Sequence, residues 1–391
     1  MMNNFKYCSP TEFVFGKNTE IHISKLLKKY GATKVLIHYG GGSVVRSGLL
    51  ARVESYLQNE FIDYVLLGGA QPNPVDTLVY EGIELCRKEK VDFILAVGGG
   101  SVIDSAKAIA VGVPYAGDFW NFFDQTVTVN KALKIGVVLT IPAAGSEASH
   151  SMVITKVDGL LKGGLNTSLS RPAFAVMDPV LTFSLPAYQT ACGIVDMMAH
   201  VMERYFTNTT GVELTSNLCE AVLKTIIKTA PEVIANPENY DARANIMWAG
   251  TVAHNGFCGV GRDEDWATHR IEHELSALYD VAHGAGLAVM FPAWAKYVMN
   301  SNLDIFVRFA TNVWDIPFTG NRRETAEKGI QALKDFYTSI GMPISFQQLG
   351  AKREDIDTLV QSLKINVGDT LGLLQVLNME DVRQIYEIAA E

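Results

Sequence analysis

The chain has 391 residues, of which 48% are hydrophobic and 19% are charged, and its formal net charge is -9. This length predicts two domains with enough apolar residues for stable cores. The negative charge argues against a nucleic-acid partner, which calls for a basic face. The sequence has no apolar run long enough to span a bilayer and no signal-peptide pattern at its start, so a cytoplasmic protein is expected. The five cysteines are scattered without a C-x-x-C pair, which indicates neither a disulfide framework nor a thiolate metal site.

The first half of the chain alternates short apolar strands with helical patterns. A first strand at 11–16 precedes an amphipathic helix that ends at Gly31. Further strands are predicted at 34–39, 63–67 and 92–97, with helices at 49–60 and 75–90 between them, and weaker strands at 136–140, 152–155 and 173–177. This order predicts an α/β domain with a parallel, Rossmann-like sheet that has helices on its faces.

The alternation of strand and helix patterns stops after Pro186. Amphipathic segments of helix length follow one another to the end of the chain, with little β-branched enrichment between them. We therefore predict a nucleotide-binding α/β domain over residues 1–187 and an all-α, metal-binding domain over residues 188–391.

A glycine-rich turn follows the predicted strand at 92–97. Three glycines end the strand and a helix begins at once, in the run 98–107, GGGSVIDSAK. Bare backbone N–H groups at a helix N-terminus bind phosphate well. The run lacks the lysine of a P-loop and does not spell G-x-G-x-x-G, so a tight turn without a ligand is an equally good interpretation of this segment alone.

Two other polar turns end neighbouring strands. In dinucleotide sites an acidic residue at the first of these turns bonds the adenosine ribose 2'-hydroxyl, but this chain has Gly40, Gly41, Gly42 and Ser43 there. Glycine amides and a hydroxyl suit a 2'-phosphate, and no carboxylate is present to repel it. The other turn, 140–149, could hold the diphosphate or the ribose beside the nicotinamide.

The helical pattern at 187–202 carries one acidic and one basic side chain, Asp196 and His200, spaced i, i+4 on an apolar helix. A carboxylate in such a helix is costly unless it is paired or coordinated. A buried hydrogen bond between the two side chains would also account for the pair.

The segment 266–292 contains three histidines, His269, His273 and His283. The first two are four residues apart on one helical face, and the third opens a glycine-rich helix start. A single histidine on an apolar face is usually a satisfied core residue, but two i, i+4 pairs plus His283 favour a divalent metal site. The protease motif H-E-x-x-H is absent, because the second histidine is missing.

Taken together, these motifs resemble the iron-containing alcohol dehydrogenases, in particular the butanol-dehydrogenase-like branch. The resemblance covers nearly the whole chain. It is carried by Gly98-Gly99-Gly100-Ser101 with Asp104, by Ala144-Gly145-Ser146-Glu147, by Asp178-Pro179, by Asp196 with His200, and by His269, His273 and His283-Gly284.

The resemblance implies a catalytic metal in a cleft between the two domains. The family's metal ligands fall on Asp196, His200, His269 and His283, and His273 matches a cleft histidine that does not bind metal. We give His273 the candidate role of relaying the alcohol proton. The family's cofactor contacts fall on Gly40, Gly41, Ser43, Asn73, Gly99, Gly100, Ser101, Asp104, Thr140, Ser146 and Lys162.

Two departures from the family pattern bear on the cofactor. Gly40 stands where members that use NAD have an aspartate, which resembles the NADP-using branch. Ala144 stands where many relatives have a threonine, which removes one expected contact to the cofactor.

The resemblance implies a metal-dependent NADP(H) oxidoreductase that interconverts short-chain primary alcohols and aldehydes, with NAD(H) as a second option. Three imidazoles and one carboxylate suit Fe(II), Zn(II), Co(II) or Mn(II), of which iron or zinc is expected here. A homodimer is also expected. The alternatives are a polyol or glycerol dehydrogenase of the same superfamily and a cyclising lyase, which would need clustered cations for a phosphorylated substrate, whereas Arg262, Arg270 and Lys296 are scattered.

Overall fold

The computed structural model describes residues 1–159 and 161–391. Two compact units divide the chain. Cys8–Ser184 form the first unit, and Leu185–Glu391 together with Met1–Tyr7 form the second. The domain boundary predicted at residue 187 stays a prediction.

In the described part of the first unit there are eight strands, and six of them form one parallel sheet. The strands are β1 Glu12–Phe15, β2 Lys34–Gly40, β3 Asp63–Ala70, β4 Phe93–Gly98, β5 Lys134–Leu139, β6 Ser151–Lys156, β7 Leu161–Asn166 and β8 Phe174–Met177. The large sheet has the order β1-β8-β5-β4-β2-β3, and every neighbouring pair in it is parallel. The predicted α/β fold with a parallel sheet is confirmed.

The weak strand predicted at 152–155 is present as β6, but it lies outside the parallel sheet. It pairs antiparallel with β7, so that Met152 lies opposite Leu165. Sequence patterns do not predict β7, because its centre is Gly163-Gly164 and it has no β-branched residue. A Cβ on Gly163 would lie 3.2 Å from the ring of Trp120, so the strand packs closely on this aromatic side chain.

Helices of the first unit connect the parallel strands. They are α1 Ile23–Lys29, α2 Ser43–Arg46, α3 Leu49–Asn59, α4 Asp76–Glu89, α5 Gly100–Gly112 and α6 Trp120–Phe123. The central strand β4 is buried along its whole length, as its continuous apolar sequence requires for a strand covered on both faces. Helix α5 begins two residues after β4 ends, so the glycine run predicted to bind phosphate forms a tight strand-to-helix turn.

The second unit is mostly helical. Its helices are α7 Ala187–Tyr205, α8 Glu213–Ala235, α9 Tyr240–His254, α10 Ala267–Tyr279, α11 His283–Val298, α12 Leu303–Arg308, α13 Arg322–Ser339, α14 Phe346–Leu349, α15 Ile356–Val367 and α16 Met379–Ala390. The prediction of a helical second half is confirmed, and within it β9 Thr370–Leu371 and β10 Leu377–Asn378 form a short antiparallel pair. Two-residue strands are too short to produce a sequence pattern.

Helices α7 and α11 form the centre of the second unit. Both are buried over most of their length, and α11 is apolar on all sides from Leu287 to Ala295. A helix that is hydrophobic all round belongs in a core. The polar side chains Asp196 and His200 are therefore placed in an apolar interior. Among the described helices, none is both long enough and apolar enough to cross a membrane.

His38 is a buried polar residue in the middle of the parallel sheet. Its Nδ1 lies 2.9 Å from the carbonyl oxygen of Leu67, and its Nε2 lies 3.0 Å from the hydroxyl of Ser105. A neutral ring that donates from Nδ1 and accepts at Nε2 satisfies both contacts. Burial lowers the pKa of His38 from 6.5 to about 4, so the ring stays neutral at physiological pH.

Acidification is expected to destabilise the first unit through His38. Because the unfolded chain takes up this proton near pH 6.5 and the folded chain only near 4, stability falls as the pH drops between these values, by about 2 kcal/mol at pH 5. Urea unfolding at pH 7.5 and pH 5 measures the loss in wild type and in His38→Gln. The glutamine variant should lose less, whereas His22→Gln, which alters an exposed histidine, should behave as wild type. Equal losses in all three proteins would contradict this role.

Candidate functional site

Helix α7 places the first two predicted metal ligands one turn apart. Asp196 is 5% exposed and His200 is 6% exposed. The Nδ1 atom of His200 lies 3.2 Å from the Asp196 carboxylate and donates to the Asp196 backbone carbonyl at 2.9 Å. This backbone bond holds the ring in a neutral form whose other nitrogen, Nε2, keeps its lone pair for a ligand.

The turn between α10 and α11 brings two more histidines to Asp196. Helix α10 ends at Tyr279, Asp280 adopts a left-handed conformation with φ 51°, and α11 starts at His283. The Nε2 atoms of His269 and His283 lie 3.9 Å and 3.8 Å from Asp196 Oδ1. Three histidines from three helices thus converge on one oxygen of the Asp196 carboxylate.

Two atoms at this point are buried without a hydrogen-bond partner, Asp196 Oδ1 and His269 Nε2. Leaving such atoms unpaired is costly. Ligands that lie 2.0–2.2 Å from a shared metal are roughly 3–3.5 Å from one another, and the Nε2–Oδ1 distances of 3.9 Å for His269 and 3.8 Å for His283 are somewhat wider than this. Ligand atoms of Asp196, His200 and His269 all lie within 4.8 Å of one another. The residues present therefore fit a divalent metal with nitrogen and oxygen ligands.

Electrostatics at the convergence point also favour a cation. Burial alone would raise the pKa of Asp196, but the imidazoles around it hold that pKa well below its ordinary value. Burial lowers the pKa of His200 well below its usual range. For His269, burial opposes protonation, yet the carboxylates of Asp196 and Glu203 raise its pKa to about 9.

His273 lies apart from the convergence point. It is half-buried on α10, one turn after His269, and its ring centroid lies 5.4 Å from that of His283. His273, His283 and Glu272 form a second group whose possible ligand atoms all lie within 4.8 Å of one another, whereas His269 and His283 approach Asp196. A role for His273 other than metal binding stays a prediction.

Most of the predicted cofactor contacts lie at the carboxyl ends of the strands in the parallel sheet. Strands β5, β4 and β2 are adjacent, and their carboxyl ends carry Thr140, the glycine run at 98–100 and Gly40. Because all three strands run in the same direction, these turns meet at the same edge, where doubly wound sheets bind nucleotides. Asn73 follows the neighbouring edge strand β3 and has a left-handed φ of 53°.

Two pairs of predicted cofactor contacts are hydrogen bonded to each other. Ser146 donates to Asp104 at 2.6 Å, and Lys162 donates to Asn73 at 3.0 Å. The structure thus brings together residues that are up to 89 positions apart in the chain. Packing also favours glycine at position 99, because a Cβ on Gly99 would lie 2.9 Å from the side chain of Ile141.

Sequence analysis does not identify Lys107, a buried residue that holds the turn containing Ser146 and the start of β6 in place. Its ammonium group is fully buried and donates to the hydroxyl of Ser146 at 2.8 Å and to the carbonyl of Ser151 at 2.7 Å. Burial lowers the pKa of Lys107 to about 8, against the opposing effect of Asp104. The one-turn spacing from Asp104, on a helix that is otherwise apolar there, is the sequence signal that could have found it.

Sequence analysis also does not identify two glutamates that contact the predicted metal ligands. Glu203 accepts a hydrogen bond from Nδ1 of His269 at 2.8 Å, and Glu272 accepts one from Nδ1 of His283. Glu203 lies seven residues after Asp196, which is two turns along the same face of α7. A second acidic residue at that spacing in an apolar helix is the signal that would have identified it.

Known proteins match the chain along nearly its whole length. The family model described as "Iron-containing alcohol dehydrogenase" matches residues 10–179, and the one described as "Fe-containing alcohol dehydrogenase family, C-terminal" matches residues 190–390. An NADH-dependent butanol dehydrogenase A of Clostridium acetobutylicum is 39% identical over 387 residues, which cover 99% of each chain. An NADPH-dependent aldehyde reductase of Escherichia coli is 35% identical over 391 residues, which cover 99% of this chain and 100% of the relative.

A solved structure agrees with the sequence matches. The crystal structure of an NADH-dependent butanol dehydrogenase A from Thermotoga maritima superimposes with a TM-score of 0.97 and is 42% identical, covering 100% of this chain and 99% of that one. The family predicted from the motifs is therefore confirmed.

Neighbouring histidines on α10 are expected to respond differently to substitution. His269→Ala should lose both metal and turnover, because it removes a nitrogen that faces Asp196. His273→Ala should keep the metal and lose rate, by roughly 10- to 10,000-fold if His273 transfers a proton. Metal analysis of both purified variants beside wild type separates the two roles. A metal-free His273→Ala beside a metal-loaded His269→Ala would reverse the assignment.

Proposed function

We infer the reaction of this chain from its family, because the chain belongs to the iron-containing alcohol dehydrogenases. It is a metal-dependent, NAD(P)-dependent oxidoreductase that interconverts alcohols and aldehydes. We propose that its substrates are short, straight-chain primary alcohols and their aldehydes, and that NADP(H) is its preferred cofactor. A cytoplasmic homodimer remains part of the proposal.

The observation that carries the proposal is the convergence of Asp196, His200, His269 and His283, with two buried atoms left unpaired. We propose that these four side chains bind one divalent ion, Fe(II) or Zn(II). The imidazoles supply neutral nitrogen ligands and Asp196 supplies the only carboxylate, so the donor set suits either metal.

Each component has a distinct part in the reaction. When bound, the divalent ion supplies a Lewis acid that polarises the substrate oxygen, and the nicotinamide carries the hydride. The backbone carbonyl of Asp196 and the two glutamates keep protons on the Nδ1 atoms of the histidines, so that each Nε2 is free to bind. We assign to His273 the transfer of the alcohol proton, because it is half-buried and lies beside His283.

The preference for NADP(H) rests on the turn that follows β2. Gly40 and Gly41 carry no carboxylate that would repel a 2'-phosphate, and Gly42 adopts a positive φ of 125°. Arg46 Nη1 would lie 3.1 Å from a Cβ on Gly42, which places a guanidinium group over the turn. Guanidinium and phosphate form strong, charge-assisted pairs. Because the named relatives divide between NADH and NADPH, this turn is the better guide to the cofactor.

The cyclising-lyase alternative needs a cluster of cations for a phosphorylated substrate, and two of the candidate cations, Arg262 and Lys296, have other partners. Arg262 is buried and donates to the carbonyls of Arg204 and Val212 and to Ser216, so its side chain is used within the fold. Lys296 is exposed and pairs with Glu391 at 3.4 Å. Neither residue is placed to hold a phosphorylated substrate, and alcohol chemistry is favoured.

Replacing Gly40 by aspartate tests the cofactor proposal. A carboxylate near a 2'-phosphate should weaken NADPH binding by about 1.5–3 kcal/mol after solvent screening, on the order of 10- to 100-fold. NADH should lose little. The measurement is kcat/KM for butanal reduction with each cofactor in wild type and Gly40→Asp.

A matched control is Gly40→Ala. A Cβ at this position would lie 3.2 Å from the carbonyl of Ala70, so part of any loss in Gly40→Asp could be steric. Alanine should affect both cofactors equally, and only aspartate should change their ratio. A wild type that prefers NADH, or an unchanged ratio in Gly40→Asp, would contradict the proposal. Comparing the oxidation of glycerol with the oxidation of butanol distinguishes a polyol dehydrogenase.

A further inference from the structure

Glu203 contacts one of the predicted metal ligands from the side away from Asp196. Its Oε1 accepts hydrogen bonds from Nδ1 of His269 at 2.8 Å and from the backbone N–H of His269 at 3.0 Å, and also from the hydroxyl of Thr268. The side chain has no solvent exposure. A single carboxylate oxygen thus fixes the ring, the backbone and the neighbouring side chain at the start of α10.

Glu272 has the same relation to His283. Its Oε2 accepts from Nδ1 of His283, and its Oε1 accepts from the hydroxyl of Ser276. This side chain is also fully buried. Gly286 leaves room for it, because a Cβ on Gly286 would collide with the Glu272 carboxylate. The glycine one turn into α11 is therefore matched to a glutamate on α10.

Neither glutamate has an arginine or lysine partner. Among the described residues, no ion pair joins Glu203, Glu272 or Asp196 to a lysine or arginine. Three carboxylates are therefore buried together, and the side chains that contact them are imidazoles and the hydroxyls of Thr268 and Ser276, none of which carries a permanent positive charge. Buried charges of one sign need a compensating charge close by. A divalent cation at the Nε2 atoms would supply it through the rings that the glutamates touch.

We propose that Glu203 and Glu272 are positioning residues that set how tightly this protein holds its metal. The proposal rests on the metal site proposed above. Each glutamate fixes the Nδ1–H form of its histidine, orients the ring, and makes Nε2 a stronger donor by polarising the imidazole. His200 differs, since its Nδ1 donates to a neutral backbone carbonyl. The site thus has two carboxylate-supported histidines and one that the backbone supports.

Glutamine substitutions test this role, because they keep the shape of the side chain and remove its charge. In Glu203→Gln and Glu272→Gln the amide oxygen can still accept from Nδ1. We expect the dissociation constant for Zn(II) or Co(II), measured by chelator competition, to rise by roughly 10- to 100-fold in each variant. Unfolding of the metal-free protein should stay near that of wild type, and the visible spectrum of bound Co(II) should shift.

Glu274→Gln is the matched control. Glu274 is a buried glutamate on the same helix, 3% exposed, and it accepts from Asn366 at 2.8 Å. Its glutamine variant should bind metal as wild type does. Where a glutamine variant does not fold, Glu203→Asp or Glu272→Asp keeps the charge but withdraws it from the ring, and should weaken metal binding in the same direction.

The outcomes separate this inference from the metal site on which it rests. If Asp196→Asn loses the metal while both glutamine variants bind it as tightly as wild type, the site stands and the inference is overturned. If the variants destabilise the metal-free protein as much as the metal-loaded one, the glutamates serve the fold alone, which also overturns it. If Asp196→Asn binds metal as wild type does, the proposed metal site itself fails.

Discussion

Three carboxylates buried beside three imidazoles are the constraint on which the second unit depends. Asp196, Glu203 and Glu272 are each at most 5% exposed, and burying unpaired charge in an apolar interior is expensive. Protonated histidine can offset part of this charge, as the raised pKa of His269 indicates. The proposed divalent cation would offset more of this charge, and Asp196 Oδ1 and His269 Nε2, which are buried without hydrogen-bond partners, would be among the atoms that hold it.

The surrounding helices are arranged to keep these polar groups in place. Helix α7 is buried on nearly all sides, which fixes Asp196 and His200 relative to the core. The short turn between α10 and α11 sets the position of His283, and Gly284 permits α11 to approach α7, because a Cβ on Gly284 would collide with the backbone of Cys192. In the first unit, polar groups are brought together differently. Its parallel strands place polar turns from distant parts of the chain side by side at the carboxyl ends of the strands.

Local spacing explains what could be predicted from the sequence. The i, i+4 pairs and the alternation of strands and helices are encoded within short segments, so the parallel sheet and two pairs of candidate metal-binding residues could be predicted directly, while the full set of four proposed ligands came from the resemblance to the family. Strand β7 could not be predicted, because Gly163 is explained by its contact with the ring of Trp120, which is distant in the sequence. For a related reason, sequence analysis did not identify Glu203, Glu272 and Lys107. Their roles come from partners on other helices and loops, whose approach only the tertiary structure shows.

The central claim is that one divalent ion binds at Asp196, His200, His269 and His283 and is required for alcohol and aldehyde turnover. Anomalous diffraction at the iron and zinc absorption edges, from crystals of the fully active enzyme, tests it most directly. The account predicts one peak per chain, about 2.0–2.2 Å from the Asp196 carboxylate and from a ring nitrogen of each histidine. A fully active enzyme with no peak there, or with its metal bound elsewhere, would contradict it.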